Sequence, residues 1–339
     1  SQWVHRYGFD GAAELDLSLP EPSASMYQFS SALMPVAEQQ IAAVLNPENA
    51  FSAVQDVFAS MESEAWNFPV VRESLGYQDA LYGFKSGFDP ASGALGLKAG
   101  GYWPNNGAKG IANHQSSIFL FDPETGQCKA ILAGNTITAL RTAAAAAVSI
   151  DRLAIAAPTT FGLVGTGHQS AFQLEAALRV RPFREVLIWN RSGRDLSKHH
   201  QIAEKYGAAC REAELEQVVR SSQVIITITS CFEALFPGDW VSSGTHIAAM
   251  GTDTKGKQEL DPSLTSRALR FTDEIVQSRT IGEFQHLSSD VVVTTIGAVI
   301  RGTASGRTDE DQVTVFDGTG VGLQDLACAQ AVTEAIGDT

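Results

Sequence analysis

The sequence is poor in the patterns that mark metal-binding and disulfide-stabilised proteins. It has 4 cysteines in 339 residues, at positions 128, 210, 231 and 328, and no CxxC pair. We therefore expect free thiols in a reducing compartment rather than a disulfide framework. His199 and His200 are adjacent and no HExxH motif occurs, so no metal site is predicted.

Long apolar runs and an excess of positive charge are also missing. The longest apolar stretches, such as residues 224–228 and 143–148, are far shorter than the roughly 18 residues that a membrane-spanning helix needs. No secretion signal is recognisable, so we expect a cytoplasmic protein that does not enter a membrane. The net charge of −14 argues against a nucleic-acid partner. An anionic substrate would need a local cationic pocket.

The most informative segment is residues 161–180. An apolar run precedes a glycine turn, and apolar residues at near-helical spacing follow it, which predicts a strand, a turn and a helix. Gly165 allows a tight turn, and Gly167 lets the backbone approach a pyrophosphate at the helix start. Ser170 stands where a third Gly or Ala is usual, and it is small enough for close packing. The turn therefore predicts a dinucleotide site.

The rest of the chain divides into segments that differ in their hydrophobic pattern. Residues 1–25 read as an extension, residues 49–61 as an amphipathic helix, and residues 68–132 as short antiparallel strands. Beyond the glycine turn, strands at 185–190, 224–229, 246–250 and 269–272 alternate with helices. Such alternation with fully apolar strands is typical of a parallel sheet that is covered on both faces, and it supports the dinucleotide site.

The residues after the second of these strands indicate which coenzyme is bound. NAD sites usually have Asp or Glu there, whereas NADP sites lack that acid and supply a guanidinium. Here the strand ends in Asn190, Arg191 and Ser192, with no acid before Asp195. NADP(H) is therefore favoured and NAD(H) remains possible, since Arg191 and Arg194 could be exposed loop charges.

Several cations precede the glycine turn. For most of them the simple interpretation is a solvated outer face, but Lys98 stands in an apolar context between Leu95 and Ala99. The alanine-rich segment after residue 135 predicts a helix capped by Thr136 or Thr138, which would place Arg141 in its first turn. The helix dipole disfavours a cation there, so Arg141 is a candidate for function. The alternative is a salt bridge to a nearby carboxylate.

Six ordered motifs resemble the ornithine cyclodeaminase/mu-crystallin family, from about residue 51 to residue 331. They are LGLKAGG, ANHQSSIFLFDPETG, ITALRTAAAAAVS, LVGTGHQS, AAMGTDTKGKQELDP and VFDGTGVGLQDLA. The resemblance implies a homodimer with an α/β fold. Its parts would be a Rossmann domain (146–311) and an α+β substrate and dimerisation domain built from the N-terminal segment (26–145) and the C-terminal tail (312–339).

The resemblance also implies the roles of particular residues. Arg72, Lys98 and Arg141 would bind the substrate's α-carboxylate, with Lys98 and Asp253 as the catalytic groups. Asp253 would face the substrate nitrogen, and it already stands out because its loop follows a predicted strand at the end where open α/β sheets bind ligands. An Asx turn is the competing explanation of Asp253. The cofactor residues would be Gly165, Thr166, Gly167, His168, Gln169, Ser170, Asn190, Arg191, Ser192, Thr229, Ser230, Met250, Gly251, Gly318 and Thr319.

Within the family, the motifs are most similar to the members that reduce iminosuccinate to L-aspartate. The substrate would then be an imino or amino dicarboxylate, and a second carboxylate needs further donors. The candidates are His114, Gln115, Arg72 and Lys85. The alternatives are a cyclic ketimine reductase acting on 1-pyrroline-2-carboxylate, or an enzyme like alanine dehydrogenase or ornithine cyclodeaminase. A non-catalytic protein that binds NADPH or another ligand, like some mu-crystallin relatives, is a further alternative.

Overall fold

The computed structural model describes residues 33–337, and the predicted extension at residues 1–25 lies outside them. The first sheet is largely antiparallel, with the strand order β1-β7-β6-β5-β4-β2 and β3 paired to β4. Its strands are β1 (Met34–Val36), β2 (Trp66–Asn67), β3 (Val71–Ser74), β4 (Leu81–Asp89), β5 (Ala94–Tyr102), β6 (His114–Phe121) and β7 (Cys128–Ala133).

Three helices accompany this sheet: α1 (Glu38–Val44), α2 (Pro47–Ser60) and α3 (Asn135–Leu153). Helix α2 is the helix predicted at residues 49–61. It begins earlier because the Asn46 side chain accepts hydrogen bonds from the main-chain N–H groups of Glu48 and Asn49, and Pro47 suits the first helical position. Its apolar face, with Val54 and Phe58, lies in the core.

The second sheet is parallel throughout and has the order β10-β9-β8-β11-β12-β15-β13-β14. The strands are β8 (Thr160–Val164), β9 (Glu185–Trp189), β10 (Ala209–Glu212), β11 (Val224–Thr227), β12 (His246–Ala249), β13 (Leu269–Thr272), β14 (Thr294–Thr295) and β15 (Thr314–Asp317). The helices between and after them are α4 (Ser170–Val180), α5 (Ser197–Lys205), α6 (Leu215–Ser221), α7 (Pro262–Arg267), α8 (Ile275–Ile281), α9 (Ile296–Ile300) and α10 (Gly322–Gly337).

The strand order confirms the predicted Rossmann architecture. The order reverses between β8 and β11, and a dinucleotide binds in the crevice at the carboxyl ends of the strands on either side of such a reversal. The five strands β8, β9, β11, β12 and β13 are the predicted ones, and each ends within two residues of its predicted end. The glycine turn follows β8 directly, at the strand-order reversal.

The division of the chain differs from the predicted boundaries at residues 145/146 and 311/312. Helix α3 runs unbroken across the first boundary. Strand β15 lies beyond the second boundary, yet it pairs with both β12 and β13 in the parallel sheet. The chain leaves that sheet only after Asp317, and α10 then packs against α2, β4 and β5. The segment after residue 311 thus contributes β15 to the parallel sheet and α10 to the packing against the antiparallel sheet.

The start of α3 corrects the prediction for Arg141. Neither Thr136 nor Thr138 caps the helix, because Glu38 reaches across from α1 and does so instead. Its two carboxylate oxygens accept hydrogen bonds from the main-chain N–H groups of Asn135 (2.9 Å) and Thr136 (3.0 Å). The helix therefore starts at residue 135, and Arg141 lies in its second turn.

Two composition-based expectations can be compared directly with the structure. All four cysteines are unpaired, as predicted. Among residues 33–337, no helix combines the length and apolarity required to cross a membrane.

Candidate functional site

The glycine turn has the geometry of a phosphate cradle. Gly165 has φ +113°, and a Cβ atom there would lie 2.7 Å from the carbonyl oxygen of Ile228, at the end of β11. A Cβ at Gly167 would meet open space. In the described chain, the main-chain N–H groups of Gly167, His168 and Gln169 donate to no protein acceptor. Free N–H groups before a helix suit a pyrophosphate, so the turn fits a dinucleotide.

Ser170 explains why the turn needs no third glycine. Its hydroxyl donates to the carbonyl oxygen of Gly167 (2.7 Å) and lies 2.8 Å from Nε2 of His199, on α5. Burial, followed by the neighbouring charges, lowers the pKa of His199. A serine here therefore ties the turn to the next helix.

The segment after β9 lines a cavity of about 450 Å³ together with Glu212 and Glu214. Asn190 is buried, and its amide bonds Thr166 Oγ1 (2.9 Å) and the main chain of Arg194. Asn190 thus connects this loop to the glycine turn. The Arg191 guanidinium lies 5.9 Å from the Trp189 ring centre, and Ser192 is exposed.

The other predicted cofactor residues lie where β11, β12 and β15 end. Glu259 joins the first two ends, since its carboxylate accepts from Thr229 N (2.6 Å), Thr229 Oγ1 (2.7 Å) and Gly251 N (2.9 Å). Ser230 is exposed beside this junction. Gly318 packs on Met250, because a Cβ at Gly318 would lie 2.5 Å from its sulfur. The hydroxyl of Thr319 bonds Asp273 (2.6 Å) and Gln277 (2.9 Å), so this side chain is committed within the protein.

The predicted substrate cations share one face of the antiparallel sheet. Lys85 and Lys98 are directly opposite each other on β4 and β5, and Arg72 on β3 is opposite Gly83. Residues that pair across strands, and those two apart along a strand, project to the same side. Arg141 reaches this side from α3. The structure therefore brings together Arg72, Lys85, Lys98 and Arg141.

Asp325, on α10, joins the two innermost cations. Its carboxylate lies 2.8 Å from Nζ of Lys98 and 3.1 Å from Nε of Arg141, while Nη1 of Arg141 donates to Oε1 of Gln324 (3.1 Å). Burial lowers the pKa of Lys98 to about 8. Burial alone would raise the pKa of Asp325, but Arg141 and Lys98 hold it below its ordinary value. The salt bridge that was the alternative explanation of Arg141 is thus present.

Lys85 occupies a different environment from Lys98. Its ammonium group donates to the main-chain carbonyl oxygens of Gly320 and Thr319, and no carboxylate in the described chain pairs with it. Burial and the nearby charges of Lys98 and Arg141 lower its pKa to about 7. The group therefore changes its charge near neutral pH, and within residues 33–337 its ammonium form pairs with no carboxylate.

Asp253 lies in the loop after β12 and faces Arg72. The Arg72 Nη2 to Asp253 Oδ2 distance is 3.2 Å, and Nζ of Lys257 lies 2.8 Å from the other oxygen. Burial would raise the pKa of this carboxyl, but Arg72, Lys257 and Lys85 hold it far below its ordinary value. Asp253 is consequently an ionised group that stabilises positive charge and holds no proton to donate.

His114 and Gln115 begin β6 at the margin of the cluster. Burial, with the charges of Lys98 and Arg141, lowers the pKa of His114 to about 4, so its imidazole is neutral. The Gln115 amide donates to the carbonyl oxygen of Ala112 (2.9 Å) and accepts from Asn135 (3.4 Å). Among the described residues, no group of three His, Cys, Asp or Glu side chains could hold a metal ion.

The sequence matches the ornithine cyclodeaminase/mu-crystallin family over residues 87–339. The chain belongs to this family.

Within the family, the chain is 53% identical to the iminosuccinate reductase of Paracoccus denitrificans (strain Pd 1222) over 308 residues, which cover 89% of this chain and 96% of the relative. The crystal structure of that reductase with NAD⁺ superposes with a TM-score of 0.86 at 52% identity, and the match covers 90% and 97% of the two chains. The chain is also 34% identical to an alanine dehydrogenase of Archaeoglobus fulgidus, over 71% of this chain and 77% of the relative. The NAD-bound dimer of an archaeal alanine dehydrogenase gives a TM-score of 0.84 at 30% identity, with 90% and 97% covered.

Sequence reasoning missed several buried acids that organise this family member's site, namely Asp325, Asp273 and Glu259. A signal for Asp325 was available. Residues 321–329, VGLQDLACA, are apolar except for Gln324 and Asp325, and a charged residue in such a segment is seldom buried unless it is paired. Glu259 and Asp273 lie in loops of mixed polarity, where an acid is unremarkable in sequence.

Proposed function

We propose that the protein reduces iminosuccinate to L-aspartate with NAD(P)H. The coenzyme supplies a hydride, and one proton from solvent completes the conversion of the imine to the amine. The observation that carries the proposal is the cationic face of the antiparallel sheet. There Lys98 and Arg141 share Asp325, while Lys85 pairs with no carboxylate among residues 33–337. The 53% identity to an iminosuccinate reductase supports the same reaction.

Each carboxylate of the substrate has a separate set of donors. Lys98 and Arg141 would hold the α-carboxylate, since both are buried and retain N–H groups beyond those that bond Asp325. Lys85, with Arg72, would hold the distal carboxylate. Fixing both ends orients the imine carbon and lowers the entropic cost of reaction.

Asp253 would act on the substrate nitrogen. An iminium accepts hydride far better than a neutral imine, and an ionised carboxylate nearby stabilises that positive charge. Because Arg72 and Lys257 keep Asp253 ionised, its role is electrostatic.

A substrate panel tests the reaction. We expect the highest kcat/KM with iminosuccinate, and lower values with 1-pyrroline-2-carboxylate and with pyruvate plus ammonia. A preference for a substrate without the distal carboxylate would instead assign a cyclic ketimine reductase or an alanine dehydrogenase. Tight NADPH binding without turnover of any imine would assign a binding protein.

The cavity after β9 is lined by charges of both signs, and these would favour different coenzymes. Arg191 supports the predicted preference for NADP(H), because it could pair with a 2′-phosphate. Glu212 and Glu214 line the same cavity and would repel that phosphate. A kcat/KM ratio that favours NADPH and is lost in Arg191→Ala would support the prediction. A ratio that favours NADH, and moves toward NADPH in Glu214→Gln, would instead identify the acids as the determinant.

We also propose that the protein is a homodimer formed through the antiparallel sheet. Lys85 and Lys98 project from one face of this sheet. The other face carries one apolar side chain from each of the neighbouring strands β4 to β7, namely Phe84, Leu97, Phe119 and Ile131. Phe84 is 40% exposed, and the other three side chains are half-buried. An apolar face of this kind is suited to cover by a second copy.

A further inference from the structure

The turn between β15 and α10 contacts two of the cations assigned to the substrate. Its carbonyl oxygens, on Thr319 and Gly320, accept hydrogen bonds from Nζ of Lys85. Gly320 has φ +75°, and a Cβ atom there would lie 2.6 Å from Nη1 of Arg141. The conformation of this turn therefore determines where both cations lie.

Asp273, at the carboxyl end of β13, holds the turn in place. The residue is only 2% exposed. One carboxylate oxygen accepts from Oγ1 of Thr319 (2.6 Å), and the other accepts from the main-chain N–H of Gly320 (2.7 Å) and from Nε2 of Gln324 (3.4 Å). Gln324 in turn accepts from Nη1 of Arg141 (3.1 Å). Asp273 also accepts from its chain neighbours, Thr272 Oγ1 (3.3 Å) and Glu274 N (2.9 Å). Its contacts with the turn and with α10, in contrast, lead in one further step to Lys85 or Arg141.

We propose that Asp273 is a positioning residue for substrate binding, which places Lys85 and Arg141 through the Thr319–Gly320 turn and Gln324. An acid suits this task because its two oxygens take donors from both the turn and α10, whereas an amide would present a donor to one of them. The role differs from that of Asp325, which contacts Lys98 and Arg141 directly.

Two sets of variants test this role: Asp273→Asn, and the pair Thr319→Val and Thr319→Ser. We expect Asp273→Asn and Thr319→Val to raise the KM for L-aspartate, in the oxidative direction, by about tenfold or more, with a smaller change in kcat. Thr319→Ser keeps the hydroxyl and should restore the wild-type KM. Coenzyme Kd, measured by fluorescence titration, should stay within about twofold. Should Asp273→Asn fail to fold, the Thr319 pair decides.

Asp89→Asn is the matched control. Asp89 is likewise buried, and it accepts hydrogen bonds from Ser60 (2.6 Å), Ala91 (3.1 Å) and Ser92 (2.7 Å) at the far end of β4. The Asp89→Asn variant should have a lower Tm than the wild type and an unchanged KM for L-aspartate. The proposal is overturned if the Asp273 and Thr319 variants lower Tm as Asp89→Asn does but leave KM unchanged.

The inference rests on the proposed function, in which Lys85 and Arg141 bind carboxylates. The two fail differently. If the wild type does not reduce iminosuccinate, the proposed function is wrong, and the KM ratios are measured with whichever α-imino acid the wild type does reduce. If the wild type does reduce iminosuccinate and the Asp273 and Thr319 variants have the wild-type KM, only the role of Asp273 is overturned.

Discussion

The two cations beside Asp253 restrict it to one chemical form, the ionised carboxylate. Paired with Arg72 and Lys257, it stays charged over the whole range in which enzymes are assayed. We expect Asp253→Asn to lower kcat by about 10²-fold, because it removes a fixed negative charge from beside the substrate nitrogen. Steady-state kinetics at saturating coenzyme measure this. Asp290→Asn, at an exposed loop acid, is the control, and wild-type turnover in Asp253→Asn would make its role structural.

Lys85 should make the preference for a dicarboxylate depend on pH. Its pKa is about 7, and its ammonium form is the one that binds an anion, so the preference is present below that pH and is lost above it. The measurement is the ratio of kcat/KM for iminosuccinate to kcat/KM for the imine of pyruvate. Both reductions take up a proton, so the pH dependence that they share divides out of this ratio. We expect the ratio to fall between about pH 6 and about pH 9.

Lys85→Met provides the comparison for that pH profile. Below about pH 7 the variant should have a lower ratio than the wild type, and at higher pH the two ratios should converge, because the wild-type lysine is then neutral as well. The pH dependence should flatten, because the titrating charge is gone. A pH-dependent ratio that survives in Lys85→Met would assign the effect to another group, such as Lys98, whose pKa is about 8.

The sequence indicated the cations of the site better than their partners. Lys98 stood out because an apolar strand context is unusual for a lysine. Arg141 stood out because the predicted start of its helix put a cation in the first turn, where the helix dipole disfavours it. The apolar surroundings of Asp325 in sequence indicate a buried acid, but they do not identify its partners, which are 227 and 184 positions away. The expected position of Arg141 was wrong because Glu38, from another helix, sets where α3 begins.

At the scale of elements, the Glu38 contact on α3 is itself testable. One carboxylate satisfies two main-chain N–H groups that the helix leaves free, at the positive end of its dipole. We expect Glu38→Ala to lower the free energy of unfolding by about 1–2 kcal/mol. Denaturant titration measures this, with Glu233→Ala, at an exposed loop residue, as control. Equal stability of the two variants would contradict the capping role.

Elements with a clear apolar pattern were predictable, whereas elements that only their neighbours define were not. The strand, turn and helix around Gly165 follow from local periodicity, and so do β9, β11 and β12. Strands β1 and β10 have three and four residues, and each is defined by its parallel neighbour rather than by its own sequence. Likewise, the prediction placed residues 312–339 in the substrate and dimerisation domain, whereas β15 pairs with β12 and β13 in the parallel sheet, a contact that no local pattern indicates.

At the scale of the whole molecule, the proposed dimer predicts that charge on the apolar sheet face separates the subunits. A glutamate at residue 119 would bury an unpaired carboxylate in the interface, which is strongly unfavourable. We expect light scattering after gel filtration to give a dimer for the wild type and a monomer for Phe119→Glu. Val292→Glu, at a residue that is 73% exposed, is the control. A wild-type monomer, or a Phe119→Glu dimer, would refute this interface.

The pairing of Lys98 and Arg141 with Asp325 also has a consequence during synthesis. At roughly 5–20 residues per second, the ribosome needs about 10–40 s to proceed from Arg141 to Asp325. Throughout that interval the nascent chain has both cations but not the carboxylate that joins them, and α10 is not yet present to cover β4 and β5. The early hairpins can form from local contacts, whereas the site closes only when α10 docks. The proposed site is therefore completed late in synthesis, when α10 covers β4 and β5.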